Sequence, residues 1–200
     1  HDPLRRQRQM CIRDRYQFES FPVFMGCLDQ PESQDIKRKM SWLISKGSGL
    51  IQLEQLIPLE VLYPESHGAG AVGGLWKKHH SEFARFISQI NPDGVFEIGG
   101  AHGILQTEYT KHRDVPWTII EPNPSPIEGS KAKFIKGFFD EKFSEKINYD
   151  ALVHSHVFEH IYNPVDFMRH LSNYMQEGKY LIFSIPNMQE MLERNYTNCL

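Results

Sequence analysis

The chain has few cysteines, no long apolar run and no excess of basic residues. Its 200 residues include three cysteines, Cys11, Cys27 and Cys199, which are odd in number and far apart. They predict a reducing, cytoplasmic setting rather than a disulfide framework. No apolar run approaches the about 20 residues of a membrane-spanning helix, so we expect no membrane partner. The formal net charge of −3 argues against a nucleic-acid partner, since such proteins normally present a basic face.

The first 75 residues are irregular in pattern. Residues 1–15 carry five arginines without apolar periodicity, and we interpret them as a disordered or artefactual extension. Residues 16–75 predict a small β-rich module, in which 40–44 and 50–53 flank a glycine-containing turn and form a hairpin.

Residues 76–200 alternate between helical and strand patterns. Apolar residues recur at helical spacing over 76–90. Strands are expected at 95–99, 117–121, 133–138, 150–155 and 179–185, and further helices at 103–112, around 140–147, at 164–176 and at 187–195. This alternation predicts an α/β fold, a Rossmann-like doubly wound and mostly parallel sheet.

A glycine-rich turn follows the first of these strands. The spacing Glu97-x-Gly99-x-x-x-Gly103, with Gly100 inside the turn, lets the backbone approach a ligand closely. An acid before the glycines would repel a pyrophosphate, which disfavours a nucleotide-dependent oxidoreductase. It suits a ligand that carries positive charge. The next strand ends in Glu121, where a carboxylate can accept hydrogen bonds from ribose hydroxyls.

This motif series resembles that of the class I S-adenosylmethionine-dependent methyltransferases. It comprises residues 97–103, 119–121, 136–139, 149–161 and 182–187. The resemblance implies S-adenosylmethionine as cofactor, with Glu97 and Gly99 lining its methionine part, Gly100 and Gly103 also binding the cofactor, and Glu121 on the ribose. It also implies Phe138 near the adenine and His156 facing the sulfonium. Many members have glycine where this chain has Ala101.

Residues 16–90 are similar to a narrower group, the sugar C-methyltransferases that carry an N-terminal zinc-binding module. That group usually has Cys-x-x-Cys-Gly in the hairpin turn, whereas this chain has Ser45-x-x-Ser48-Gly49. Serine is a poor zinc ligand, so we expect a zinc-ribbon-like module without metal. The implied substrate is a small molecule, most simply a nucleotide-linked keto-deoxysugar of surface polysaccharide or natural-product biosynthesis.

Carbon methylation beside a carbonyl needs a base, and histidine is the side chain best suited near neutral pH. His79 and His80 lie on the helix that enters the domain, and we expect His154, His156 and His160 to cluster after the fourth strand. The catalytic candidates are His160, His156, Tyr63 and His80, of which His160 and Tyr63 match substrate-bordering positions of the resembling group. A further tyrosine counterpart is Tyr196.

Other functions remain open. An O- or N-methyltransferase of another small metabolite would carry the same cofactor motifs, and a non-catalytic cofactor-binding domain would fit the loss of the zinc ligands. A methyltransferase acting on base amines is disfavoured, because its Asn/Asp-Pro-Pro-aromatic signature is replaced by His154-Ser-His-Val-Phe-Glu159. The resemblance also implies further strands after the fifth, so we expect the domain to be incomplete at Leu200. The sequence does not predict an oligomeric state.

Overall fold

The computed structural model describes residues 12–23, 31–47, 49, 51–62 and 73–194. The chain divides into two compact units between Pro64 and Glu65, whereas the sequence predicts a module boundary at residue 75. Each unit has a sheet of its own.

The first unit contains a three-stranded antiparallel sheet in the order β1-β2-β3. Its elements are β1 (Ile12–Pro22), a 3₁₀ helix (Glu32–Gln34), β2 (Lys37–Ser45), β3 (Ile51–Leu53) and α1 (Leu59–Leu62). The predicted hairpin is confirmed as β2 and β3, which pair Trp42 with Leu53. Gly49 adopts a φ of 71° in the turn, which favours glycine.

Strand β1 was not expected from the sequence. It begins at Ile12, inside the segment 1–15 that the sequence predicts to be disordered. Its order comes from antiparallel pairing with β2 and from contacts such as that of the Phe18 and Trp42 rings, 6.0 Å apart. Pairing between distant segments leaves little trace in local composition.

The second unit holds the predicted alternating elements. They are α2 (Gly74–Ser88), β4 (Val95–Ile98), α3 (Ile104–Tyr109), β5 (Trp117–Glu121), β6 (Lys133–Lys136), β7 (Ala151–Ser155), a 3₁₀ helix (Phe158–His160), α4 (Pro164–Tyr174), β8 (Tyr180–Ser184) and α5 (Met188–Glu193). No helix among the described residues is long and apolar enough to cross a membrane.

The five strands β4 to β8 form one parallel sheet in the order β6-β5-β4-β7-β8. One face packs Val95 and Val153 against Ile87 of α2 and Leu105 of α3. The opposite face packs residues such as Phe96 against α4. Helices therefore cover both faces, and the predicted doubly wound parallel sheet is confirmed. All the carboxyl ends of these strands lie at one edge.

The helix predicted around 140–147 does not form. Residues 143–149 have no regular secondary structure, although Phe139 and Phe143 pack on the core at Phe96. The Tyr174 hydroxyl donates to the Glu145 carbonyl at 2.8 Å and accepts from the Ile147 amide at 3.3 Å. The backbone is thus satisfied by a side chain of α4 instead of by helical hydrogen bonds.

Candidate active site

The turn after β4 requires glycine at its two ends. Gly99 has a φ of 74° and Gly103 a φ of 71°, in the left-handed region that disfavours other residues. A Cβ on Gly99 would lie 2.5 Å from Cγ2 of Val157, and one on Gly103 would lie 2.4 Å from Oγ of Ser130. The glycines therefore serve both the conformation of the turn and its close packing on these two side chains; a close approach to a ligand stays a prediction.

Glu97 lies buried beneath this turn. The residue is 4% exposed, and its Oε2 accepts a hydrogen bond from Trp117 Nε1 at 2.7 Å. A Cβ on Gly100 would lie 2.6 Å from its carboxyl carbon, so the turn passes directly over the acid. Burial, together with the charge of Glu121, raises the pKa of Glu97 to about 7, against the lowering effect of the Trp117 hydrogen bond.

Glu121 ends β5 and faces the same turn. Its carboxylate accepts hydrogen bonds from the amide of Ala101 at 3.2 Å and from the amide of Asn123 at 3.0 Å. Ala101 has a φ of 26°, an unusual conformation for a non-glycine residue, and this hydrogen bond helps to hold it. Glu121 thus braces the turn and remains partly exposed at the strand end.

Phe138 follows β6 on the same edge of the sheet. Its side chain is 56% exposed, unlike that of Phe139, which is buried in the core. The Gly137 amide donates to the Glu121 carbonyl at 3.1 Å, which places Phe138 one residue beyond a contact with the end of β5. An exposed aromatic ring there is available for stacking.

His156 stands directly after β7 and is held from several sides. Its φ is 52°, its amide donates to the Ser184 carbonyl at 3.0 Å, and its Nδ1 lies 3.1 Å from Oε1 of Glu159. Burial alone would raise the pKa of Glu159, but the hydrogen bond from His156 and the charges of His160 and His156 lower it. Glu159 is therefore an ionised acceptor at neutral pH, which places a hydrogen on Nδ1 of His156.

Two side chains of α2 contact His156, and a third contacts those two. The ring of Trp76 lies 4.9 Å from the His156 ring, and the ring of His79 lies 5.1 Å from it. The His80 ring lies 5.5 Å from that of His79 and 6.0 Å from that of Trp76. His156 and His80 of the predicted set are thus brought into one group, which we call the imidazole cluster: Trp76, His79, His80 and His156.

The other predicted base candidates are placed differently. His160 ends the 3₁₀ helix and is exposed. Two further candidates, Tyr63 and Tyr196, lie outside the described residues. So do Ser48 and Cys27, which belong to the expected zinc-ribbon-like module and are not base candidates. His154 is not a member of the imidazole cluster. It lies within β7, is 1% exposed and stacks on Phe183, with ring centroids 5.1 Å apart. Burial lowers its pKa to about 4.

Glu159, Ser155 and Ser184 are functional candidates that the sequence analysis did not name, and it did not foresee the contact of His79 with Ser155. Glu159 lies within the quoted fourth-strand motif, and its i+3 spacing from His156 was the available signal. His79 reaches Ser155 across 76 residues of sequence, and no local pattern reveals such a contact. Among the described residues, no group of three or more His, Cys, Asp or Glu side chains is arranged to hold a metal ion.

Val157 joins the two groups of polar residues. It follows His156, and its side chain packs so closely on Gly99 that a Cβ there would clash. The acids of the glycine turn and the imidazole cluster therefore border one another at the carboxyl edge of the sheet. Residues 75–198, more than half of the chain, match the methyltransferase domain family. The chain belongs to this family.

Several solved structures resemble this methyltransferase domain remotely. The plantazolicin methyltransferase BpumL, in complex with a monoazolic desmethylPZN analog and SAH, is 18% identical with a TM-score of 0.46, over 60% of this chain and 49% of that one. The N-methyltransferase NodS from Bradyrhizobium japonicum WM9, in complex with S-adenosyl-L-homocysteine, is 17% identical with a TM-score of 0.46, over 56% and 62% of the two chains. The methyltransferase domain of bacterial CtHen1-CN is 17% identical with a TM-score of 0.47, over 62% and 74%.

The methyltransferase domain described here spans about half the length of BpumL. No curated protein sequence matches it significantly.

Proposed function

We propose that this protein transfers a methyl group from S-adenosylmethionine to a small molecule, in a cytoplasmic setting. The observation that carries the proposal is the junction at Val157, where the acid-lined glycine turn meets the His156–Glu159 pair. One group suits a cationic cofactor and the other suits a methyl acceptor that must lose a proton. Membership of the methyltransferase domain family supports the same activity.

The residues of the glycine turn fit S-adenosylmethionine. Glu121 supplies a carboxylate at the turn, which complements the amino group and sulfonium of this molecule, and Glu97 lies buried beneath the same turn. Glu121 ends the second strand of the parallel sheet, where a carboxylate can accept hydrogen bonds from ribose hydroxyls. Phe138 offers an exposed ring for the adenine. When bound, S-adenosylmethionine supplies an electrophilic methyl group whose bonding electrons remain with sulfur.

The finer proposal is methylation at carbon of a nucleotide-linked keto-deoxysugar. His156 Nε2 would remove a proton from the carbon beside the carbonyl, and the resulting carbanion, delocalised as an enolate, would form the bond to the methyl carbon. Glu159 would stabilise the imidazolium that His156 becomes, since its carboxylate already accepts from Nδ1. His160, whose charge acts on Glu159, and His80, which packs on Trp76 and His79, would contact the sugar or its carrier.

An alternative is methylation at oxygen or nitrogen of another metabolite. The same His156–Glu159 pair would then take a hydroxyl or ammonium proton, for which no enolate is needed. A non-catalytic cofactor-binding domain is the remaining alternative.

Hydrogen exchange separates these functions. The protein is incubated in D₂O with S-adenosylhomocysteine and each of a panel of nucleotide-linked keto-sugars, and exchange at the carbon beside the carbonyl is followed by NMR. Carbon methylation predicts exchange that depends on His156 and occurs without methyl transfer. Methyl transfer from labelled S-adenosylmethionine without any such exchange would favour oxygen or nitrogen. Calorimetric binding of S-adenosylmethionine without transfer to any acceptor would favour the non-catalytic alternative, and absence of binding would overturn the proposal.

A further inference from the structure

His79 is the most enclosed member of the imidazole cluster. Its ring stacks on Phe83 with centroids 5.8 Å apart and meets the rings of Trp76 and His156 edge-on at 5.6 Å and 5.1 Å. Its Nε2 lies 2.8 Å from Oγ of Ser155, the last residue of β7. The ring therefore ties the first turns of α2 to the carboxyl end of the strand that carries His156.

The hydroxyl groups beside His79 determine which of its nitrogens carries the hydrogen. Ser184 Oγ, on the neighbouring strand β8, donates to Ser155 Oγ at 2.9 Å. Ser155 then has its own hydrogen left to donate, and His79 Nε2 is the acceptor within reach. With Ser155 as the donor of this bond, His79 is the neutral tautomer with its hydrogen on Nδ1. Burial, with the neighbouring His156 and His80, lowers its pKa to about 4, in keeping with a neutral ring.

The orientation of the His156 ring depends on the side chains around it, including that of His79. Its backbone is in the left-handed region at φ 52°, which a non-glycine residue keeps only when its surroundings enforce it. The Glu159 carboxylate binds one edge of the ring, while Trp76 and His79 flank it. A charged ring at the position of His79 would oppose proton uptake by His156, whereas a neutral ring leaves that uptake unopposed.

We propose that His79, fixed by the hydroxyl pair of Ser155 and Ser184, is a positioning residue that holds His156 and its bond to Glu159 in the geometry of a base. His79 does not itself take the proton from the acceptor. Its role follows from the ring contacts and from the chain of three hydrogen-bonding groups across α2, β7 and β8. This inference rests on the proposed function in one respect, that His156 is the base.

Two substitutions separate positioning from packing. His79→Phe keeps an aromatic ring on Phe83 but removes the acceptor for Ser155. His79→Gln places an amide oxygen near the position of Nε2 and can accept the same hydrogen bond. The matched control is His112→Gln, an exposed histidine just after α3. All three are compared with the unaltered chain after a check of their melting temperatures.

The first measurement is NMR of the protein with ¹⁵N-labelled histidine, and it needs no acceptor molecule. The expected result is the Nδ1–H tautomer for His79 and a protected Nδ1–H signal for His156 in the unaltered chain. That His156 signal should persist in His79→Gln and His112→Gln and be lost in folded His79→Phe. An Nε2–H tautomer for His79, or a His156 signal that persists in His79→Phe, would overturn the proposal even if no acceptor were ever methylated.

The second measurement is the kinetics of methyl transfer. We expect kcat to fall about 10- to 100-fold in His79→Phe, the usual loss when a residue that orients a functional histidine is removed. The Kd for S-adenosylmethionine should stay unchanged. His79→Gln should recover most of this loss. A loss of stability in His79→Phe with unchanged kcat for the folded protein would mean that the ring only packs. If the NMR results hold and no acceptor is methylated, the positioning stands and the proposed chemistry fails.

Discussion

The carboxyl ends of β4 and β5 and the carboxyl ends of β7 and β8 are built from opposite chemistry. The first end combines two carboxylates with a glycine turn, and the second combines imidazoles with serine hydroxyls. Acids suit a ligand that arrives with positive charge, whereas neutral imidazoles suit a group that must give up a proton. The contrast between the two ends agrees with the proposal that a cofactor and a methyl acceptor bind side by side at this sheet edge.

The two ends also respond to acid in opposite directions. The raised pKa of Glu97 means that the folded protein favours its protonated form. The lowered pKa values of His79 and His154 mean that the folded protein resists their protonation. Acidification therefore makes the contribution of Glu97 to folding stability more favourable and the contributions of His79 and His154 less favourable.

The strongest test of the contrast removes His156, the proposed base at the second end. His156→Gln should lower kcat by about 10²- to 10⁴-fold, the usual contribution of a general base, because the amide has no basic nitrogen. Binding of S-adenosylmethionine measured by calorimetry should stay unchanged, since the first end is intact. Exposed His112→Gln serves as the control. Unaltered turnover in His156→Gln would remove this residue from the chemistry.

Replacing the buried acid should change how stability depends on pH. Glu97 has a folded pKa of about 7 and an ordinary value near 4.5 when unfolded, so its contribution is fully present below pH 4.5 and is lost as the pH rises through 7. Glu97→Gln keeps an acceptor for Trp117 Nε1 and should be the more stable protein above pH 7, by up to about 3 kcal/mol. Denaturant unfolding at pH 5 and pH 8 measures the difference. A gain that is equal at both pH values would contradict the assignment.

Stability should depend on pH in the opposite direction at His154. Its folded pKa of about 4 lies below the ordinary 6.5, so its contribution is present above pH 6.5 and is lost as the pH falls toward 4, at most about 3 kcal/mol. His154→Phe keeps the ring stacked on Phe183 and removes the titrating group. Its melting temperature should fall less than that of the unaltered chain between pH 6.5 and pH 4. Parallel curves for the two proteins would show that His154 does not titrate in this range.

A smaller effect should follow from the loss of Glu121. Glu121→Ala removes the proposed ribose acceptor and the brace of the Ala101 amide. Affinity for S-adenosylmethionine should fall by roughly 1–3 kcal/mol, the range for losing a hydrogen bond to a charged group. Exposed Glu128→Ala is the control. Equal Kd values for Glu121→Ala and the unaltered chain in calorimetry would contradict the assignment.

The sequence predicted the glycine turn and the terminal acid at the first end of the sheet, but only some of the residues that meet at the second end. The positive φ values of Gly99 and Gly103 are properties of their own turn, and Glu121 is the last residue of its own strand, so spacing along the chain carries this information. His79 acts through Ser155, and β1 is ordered by β2. These contacts join segments that are distant in sequence.

The predicted helix around 140–147 does not form because of contacts with segments that are distant in sequence. Its residues pack on Phe96, and their backbone groups are bound by the Tyr174 hydroxyl from another element. The local pattern around 140–147 could not reveal that competing partner.

The left-handed backbone of His156 sets stability and function against each other at one position. Glycine would adopt a φ of 52° without steric cost and should make the fold more robust, yet it would delete the ring that lies between Trp76 and Glu159. Relief of backbone strain and retention of the proposed base therefore make opposite demands on residue 156, so a stability screen of this protein should be paired with a turnover assay.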